Sequence, residues 1–215
     1  MTTEPLAASI AAGAEALGQD LSSAEIGQLT TLLSELQRWG ERVNLTAIRE
    51  PHKMVSAHVL DSLSIRPFIE GRRVIDVGTG AGFPGLPLAI VEPKIEFELL
   101  DSNGKKISFV NHIIGQLGLS NAKALKARAQ DYAPGKRFDT VIARALASTA
   151  KLLQMAGHLV RENGVLLALK GKHPAAELAA IDHIPGWDYS VTELTVPGLE
   201  SHARHVIQLR KRAAA

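Results

Sequence analysis

A carboxylate followed closely by a cluster of glycines lies in the middle of the chain. Asp76 comes two residues before the first of the glycines at positions 78, 80, 82 and 85. The preceding run over 72–77 is short, apolar and β-branched, which is typical of a buried strand, and Pro84 suits the first turn of a helix. A strand, a glycine turn and a helix in this order bring backbone N–H groups close to a ligand. We therefore predict a ligand-binding loop here.

Two classes of cofactor compete for this loop, and an ordinary tight turn without a ligand is a third interpretation. Gly80, Gly82 and Gly85 match the dinucleotide pattern G-x-G-x-x-G, which is a weak signal when taken alone. Asp76 favours S-adenosylmethionine instead, because a carboxylate fits badly against a pyrophosphate and well against an ammonium group. The string also resembles the acidic-x-G-x-G-x-G pattern of S-adenosylmethionine-dependent methyltransferases.

Strand-like and helix-like segments alternate from residue 72 onwards, which is typical of a doubly wound parallel sheet. Strands are predicted at 72–77, 95–100, 122–127, 138–142 and 164–170, and helices at 84–91, 103–117, 148–160 and 174–182. Two further strand-like runs, 187–196 and 204–210, have no helix between them and predict an antiparallel pair at the sheet edge. We predict an α/β fold with a mostly parallel, seven-stranded sheet.

Residues 1–70 are predicted to form a helical region that packs against the core formed by 71–215. Ser22 and Glu25 make a capping box ahead of an amphipathic helix that reaches Trp39. Helices are also predicted over 5–18 and over 52–66.

Ligands of an open α/β sheet bind beyond the carboxyl ends of the strands, so the residues after each strand are candidates. Asp101 follows the second strand, where a carboxylate can accept both ribose hydroxyls. The alternative for Asp101 is a helix N-cap, for which Ser102 is an equally good candidate. Ala129 and Gln130 follow the third strand and offer a backbone N–H and a side-chain acceptor to an adenine ring.

Basic residues follow the later strands. Arg144 comes directly after a buried run and is expected to face the cleft, although a surface arginine on a loop is an equal alternative. Lys170, Lys172 and His173 form a basic edge of the same cleft. The net charge is only +2, so clusters sharing one face would bind phosphate, whereas scattered ones would merely solubilise the protein.

Several kinds of chemistry lack the residues they need. The chain has no cysteine, which excludes disulfides, thiolate metal sites and methylation of pyrimidine carbon-5 through a cysteine adduct. No Asn/Asp-Pro-Pro-aromatic tetrad, the mark of exocyclic-amine methylation, follows the fourth strand. No His/Asp/Glu cluster has metal-ligand spacing, so metal-assisted methylation of a hydroxyl group lacks support. No signal peptide or membrane-spanning run is visible. We expect a cytoplasmic protein.

Motifs along nearly the whole chain resemble the bacterial GidB/RsmG family. They are Asn44-Leu45-Thr46, His58-x-x-Asp61-Ser62-Leu63, DVGTGAGFPG from Asp76, LLDSNGKK from Leu99, Arg128-Ala129-Gln130, Arg144-Ala145, LALKG from Leu167 and Arg204-His205. The resemblance implies transfer of a methyl group from S-adenosylmethionine to nitrogen-7 of one guanine in 16S ribosomal RNA. It implies 16S RNA or the small ribosomal subunit as partner, and we expect the protein to be a monomer.

The resemblance also implies which residues bind the cofactor and the RNA. Together with the strand-end candidates, the expected cofactor contacts are Asp76, Gly78, Gly80, Phe83, Asp101, Ala129, Gln130 and Arg144. The expected substrate contacts are Asn44, Arg144, Lys170 and Arg204. The family most often has Glu where this chain has Gln130, which keeps an acceptor oxygen but loses the charge. No catalytic base is expected, because guanine nitrogen-7 loses no proton on methylation. No metal is expected either, because no cluster has metal-ligand spacing.

Two other functions remain open from the sequence. An NAD(P)-dependent oxidoreductase would use the same glycines and Asp101, although no obvious Tyr/Lys or Cys/His pair is present for hydride chemistry. A non-enzymatic RNA-binding module with the same fold is the other alternative.

Overall fold

The computed structural model describes residues 4–171, 173–182 and 184–213, so Lys172 of the predicted basic edge lies outside the described residues. The strands are β1 (Arg73–Val77), β2 (Glu96–Asp101), β3 (Ala122–Lys126), β4 (Phe138–Arg144), β5 (Val160–Lys170), β6 (Trp187–Glu193) and β7 (His205–Lys211). The α-helices are α1 (Glu4–Ala16), α2 (Ser23–Gly40), α3 (Pro51–Met54), α4 (Asp61–Leu63), α5 (Gly85–Val91), α6 (Gly104–Leu117), α7 (Thr149–Ala156) and α8 (Ala175–Ala179).

All seven strands form one sheet in the order β3-β2-β1-β4-β5-β7-β6. The first five pair in parallel, whereas β7 is antiparallel both to β5 and to β6. The predicted mostly parallel, seven-stranded sheet with an antiparallel pair at its edge is therefore confirmed. The strand order changes direction between β1 and β4, so their carboxyl ends border the crevice where ligands of such sheets bind.

Two apolar cores cover the two faces of the sheet. One joins α1 and α2 to α5, α6 and the sheet, with Leu29 and Leu32 in the same cluster as Phe97 and Phe109. The other contains α7 and includes Phe138. The region before β1 thus shares a continuous core with one face of the sheet. No helix in the described part of the chain is long and apolar enough to cross a membrane.

The segment predicted as one helix over 52–66 is interrupted. It begins as α3, continues as a π-helix over Val55–Leu60 and ends as α4. Such π-helical turns are frequent at functional sites, and this one carries His58. The predicted helices at 148–160 and 174–182 are also shorter, since β5 already begins at Val160 and α8 covers only five residues.

The N-cap of α6 differs from both predicted candidates. Asn103 accepts the backbone N–H groups of Lys105 and Lys106, whereas Asp101 and Ser102 precede the cap. Asp101 is therefore free of the capping role that competed with ligand binding.

The glycine loop is held from beneath by the carboxylate at the end of β1. Asp76 Oδ2 accepts a hydrogen bond from Thr79 Oγ1 at 2.6 Å and another from the Gly85 N–H at 2.9 Å. An added Cβ at Gly85 would lie 2.0 Å from Leu99 Cδ2, so only glycine allows α5 to approach the sheet this closely. Asp76 is fully buried as a result. Its side chain does not face the cleft, because the first turn of α5 covers it, and the expected contact with the cofactor stays a prediction.

Burial makes this carboxyl group sensitive to pH. It raises the pKa of Asp76 to about 6 from an ordinary value of 3.8, and Oδ1 has no hydrogen-bond partner among the described residues. Because the folded chain binds this proton more tightly than the unfolded chain, the group favours folding below pH 3.8 and loses that contribution as the pH rises through about 6. Asp76→Asn keeps the shape and removes the titration. We expect its unfolding free energy, relative to the parent, to rise by up to about 3 kcal/mol between pH 4 and pH 7.

Urea unfolding of both proteins at several pH values in this range measures the difference. Asp20→Asn is the matched control, because it makes the same change at an exposed position. If the unfolding free energy of Asp76→Asn relative to the parent did not change with pH, the buried carboxyl group would titrate normally.

Candidate active site

Two cavities meet at the carboxyl ends of the parallel strands. The first cavity has a volume of about 510 Å³ and lies over the ends of β1, β2 and β4. The second has a volume of about 480 Å³ and lies between the glycine loop, the π-helical turn and the start of β7. Gly78, Arg144 and Ala145 line both cavities and form the boundary between them. Two ligands bound side by side would therefore touch across this boundary.

Most of the predicted cofactor residues line one or both cavities. Gly78, Asp101, Ala129, Gln130 and Arg144 line the first cavity. Gly80 and Phe83 line the second cavity. Asp76 lines neither, since it lies beneath the loop.

Asp101 both supports the loop and presents acceptors to the first cavity. Its Oδ2 accepts the Gly80 N–H at 2.9 Å and its Oδ1 accepts the Asn103 N–H at 2.8 Å. A carboxylate has about four acceptor positions, so about two remain for hydroxyl donors of a ligand. This donor–acceptor balance fits a ribose diol.

Most backbone N–H groups of the glycine loop are already used within the protein. The loop amides that donate to internal acceptors are those of Gly78, Thr79, Gly80, Gly82, Phe83, Gly85 and Leu86. A pyrophosphate-binding loop needs such N–H groups free to point at the phosphates. This loop therefore suits a cofactor without phosphate, as S-adenosylmethionine is, better than a dinucleotide.

An apolar wall of the first cavity was not predicted from the sequence. Leu146 is 38% exposed, and an added Cβ at Gly78 would lie 2.8 Å from its Cδ1. Met155 of α7 lines the same cavity. Ala145 has a φ of 50°, which turns the chain sharply after β4 and brings Leu146 over the loop. The backbone turn at Ala145 has no signature in the residue types, so these contacts could not be foreseen.

The three cations predicted to bind substrate all line the second cavity, and each is paired with a carboxylate. Asp61 accepts from Arg144 at 3.1 Å and from Arg204 at 3.0 Å. Lys170 lies 2.7 Å from Glu177. The structure thus brings Arg144, Lys170 and Arg204 together as predicted, and each has a carboxylate partner, although the two arginines share Asp61.

His58 is a buried, neutral member of the second cavity. Its Nε2 lies 2.9 Å from Thr46 Oγ1, and its ring stacks on Phe83 with 4.8 Å between centroids. Burial, with a smaller effect from the positive charge of Arg144, lowers the pKa of His58 to about 4. A histidine with this pKa is uncharged at neutral pH and is a weak base.

Sequence reasoning gave no role to His58 or Asp61, although both belong to the motifs that carry the family resemblance. They are three residues apart in a predicted helix, which places them on one helical face. This shared face was the signal in the sequence that could have identified them. His205 also lines the second cavity.

Asn44, a predicted substrate contact, lines neither cavity. It lies in a separate groove with Arg42, Arg49 and Lys105. The neighbouring Leu45 and Thr46 line the second cavity, so the role of Asn44 in substrate binding stays a prediction.

Comparison with known proteins was consistent with this geometry. The family model described as rRNA small subunit methyltransferase G, GidB, matches residues 25–207. A curated ribosomal RNA small subunit methyltransferase G from Idiomarina loihiensis is 44% identical over 194 residues, which are 90% of this chain and 93% of that protein. The protein of the same name from Pseudomonas syringae pv. tomato is 44% identical over 213 residues, which are 99% of this chain and all of that protein (100%).

Solved structures with a similar fold have low sequence identity to this chain. A SAM-dependent methyltransferase from Aquifex aeolicus has a TM-score of 0.56 and 22% identity, and the match covers 73% of this chain and 92% of that one. TYW2 from P. horikoshii, in complex with MeSAdo, has a TM-score of 0.56 and 16% identity over 74% of this chain and 64% of that one. These neighbours support the fold. The family match and the two relatives, which span nearly the whole chain, show that the protein belongs to the GidB family of small-subunit rRNA methyltransferases.

Proposed function

We propose that this chain transfers a methyl group from S-adenosylmethionine to nitrogen-7 of a guanine in 16S ribosomal RNA. The observation that carries this proposal is the pair of cavities that meet at Gly78, Arg144 and Ala145. The cofactor would lie in the first cavity and the target base in the second, so that methyl donor and acceptor face each other across the shared boundary.

The residues of the first cavity fit S-adenosylmethionine. Asp101 would accept the ribose hydroxyls, and Gln130 with the backbone of Ala129 would hold the adenine amino edge against the apolar wall of Leu146 and Met155. When bound, this cofactor supplies an electrophilic methyl group on a sulfonium sulfur. The internally bonded loop amides favour it over NAD(P), which makes the oxidoreductase alternative the weaker one.

The second cavity fits a reaction that moves no proton. Guanine nitrogen-7 carries an in-plane lone pair and needs no base. Two of the ionisable residues that line this cavity are poor candidates for a base, since His58 is a weak base and Asp61 is engaged by two arginines. Catalysis would then consist of alignment, for which effective molarities reach roughly 10⁵–10⁸ M.

An aromatic pair lines the second cavity. Phe83 and His58 are buried and stack on each other, so they form a fixed part of the cavity wall. Nitrogen-7 lies in the deep, narrow major groove of an RNA duplex, which side chains cannot enter. The target guanine would therefore be unpaired or flipped out when it enters the cavity.

Ligand-dependent stability tests the choice of cofactor. S-adenosylmethionine and its demethylated product should each stabilise the folded protein by about 2.7 kcal/mol at 100 times their dissociation constant, whereas NAD should not. Thermal unfolding with each ligand measures this. Stabilisation by NAD and not by S-adenosylmethionine would reverse the assignment.

A transfer assay tests the reaction and excludes a purely RNA-binding role. With radiolabelled S-adenosylmethionine and small-subunit particles or naked 16S RNA, we expect 7-methylguanosine in the nuclease digest. Asp101→Ala should weaken cofactor binding about tenfold or more, because it removes charged acceptors, while Asp20→Ala leaves binding unchanged. Methyl incorporation at another atom, or none with either substrate, contradicts the proposal.

Gln130→Glu tests the adenine contact. A carboxylate accepts a stronger hydrogen bond from the adenine amino group than an amide does. Because Gln130 is exposed and Lys106 lines the same cavity, the cost of desolvating the new charge is small. We expect calorimetric titration to give S-adenosylmethionine binding that is about two- to tenfold tighter. Markedly weaker binding would mean that Gln130 does not face the amino edge.

A further inference from the structure

A groove beside the glycine loop is lined mainly by cations, and the proposed transfer reaction assigns it no role. It lies between the segment that follows α2 and the first turn of α6. Its volume is about 430 Å³, and its charged lining consists of Arg42, Arg49, Lys105 and Lys106 with a single carboxylate, Glu41. We call it the basic groove.

The cations of the basic groove are not compensated within the protein. In the described ranges, the side chains of Arg42, Arg49, Lys105 and Lys106 form no ion pair with a carboxylate, although ion pairs occur at many other cations. The three cations of the second cavity differ in this respect, since each has a carboxylate partner. The basic groove therefore offers an anion more net positive charge than the second cavity does.

The first turn of α6 adds to this positive charge. The helix has fourteen residues and carries no acidic residue in its first turn, where Lys105 and Lys106 lie. Cations at the positive end of a helix dipole destabilise the helix, and the one carboxylate just before the cap, Asp101, is engaged by the Gly80 and Asn103 N–H groups. Like charges are thus held together at a place where a bound anion would relieve both repulsions.

The basic groove is continuous with the site of the proposed reaction. Lys106 lines both the groove and the first cavity, and its Nζ lies 4.0 Å from the position of an added Cβ at Gly80. Asn44, which also lines the groove, is separated by one residue from Thr46 of the second cavity. A chain bound in the groove would consequently run past the boundary where methyl donor and acceptor meet.

We propose that the basic groove binds the phosphate backbone of the substrate RNA next to the nucleotide whose base enters the second cavity. This inference rests on the proposed function. Backbone phosphates would provide affinity and position through the uncompensated cations, while the second cavity, with its paired charges, would receive the base. Asn44 then contacts the RNA backbone through the groove and not the base.

Neutralising two groove arginines tests the inference. Arg42→Gln/Arg49→Gln changes exposed side chains that line neither cavity. Lys136→Gln/Arg137→Gln is the matched control, because it removes the same charge from exposed positions at the amino end of β4, opposite the cavities. Lys105→Gln is an independent single variant. Binding of each protein to 16S RNA is measured over a range of salt concentrations, together with S-adenosylmethionine affinity and single-turnover methyl transfer.

We expect the groove pair to bind RNA at least about tenfold more weakly at low salt. The magnitude of the slope of log K against log salt should fall by about 2, since each lost phosphate contact reduces it by about 1. Lys105→Gln should lower the slope by about 1, while cofactor affinity stays at the parent value in both. Transfer should fall at subsaturating RNA and recover at high RNA concentration.

An equal loss of RNA affinity in the groove pair and the control pair would overturn the inference, because RNA would then bind through diffuse charge. Parental RNA binding in the groove pair would overturn it as well. Failure of the proposed function gives a different result, namely that the parent protein transfers no methyl group to the RNA. Selective loss of RNA binding in the groove variants would still support the groove in that case.

Discussion

The active-site geometry depends on two carboxylates at the ends of adjacent strands that hold one loop. Asp76 at the end of β1 accepts the Gly85 N–H, and Asp101 at the end of β2 accepts the Gly80 N–H. Hydrogen bonds to a charged acceptor contribute more than neutral ones, and the β1–β2 pairing fixes the distance between the two acceptors. The loop is consequently a rigid wall whose shape follows from the sheet.

Most loop amides donate hydrogen bonds within the protein, which limits where an anion can bind. A glycine-rich loop ahead of a helix is the usual phosphate site of an α/β sheet. Here most of the donors are bonded within the protein, so the loop faces its cofactor mainly through acceptors and apolar surface. Uncompensated positive charge is found instead one element away, at the first turn of α6. On the proposed assignment, the two sites would separate a phosphate-free cofactor from the phosphodiester backbone of the RNA.

The sheet could be predicted from the sequence because alternating apolar segments are local signals. The positions after each strand followed from it, which is why Asp101, Gln130 and Arg144 could be selected. Burial of Asp76 was not predictable, because it results from the close packing of Gly85 on Leu99 in another strand.

The ion pairs of the second cavity could not be predicted from the sequence either, since Arg204 pairs with Asp61 across 143 residues of sequence. The π-helical turn that carries His58 has the composition of an ordinary helix. Residue types therefore indicated which side chains gather at the site, but only the tertiary contacts decide which charges remain free.

Asp61 connects three parts of the chain that the sequence treats separately. It belongs to the region before the sheet, whereas its partners lie at the end of β4 and just before β7. Its side chain is only 9% exposed, and a buried carboxylate left without both arginines would be an uncompensated charge, which costs about 3–5 kcal/mol. The second cavity is therefore complete only when the helical region and the final hairpin are both docked on the sheet. The predicted boundary at residue 70 stays a prediction about sequence organisation, because the site itself is built across it.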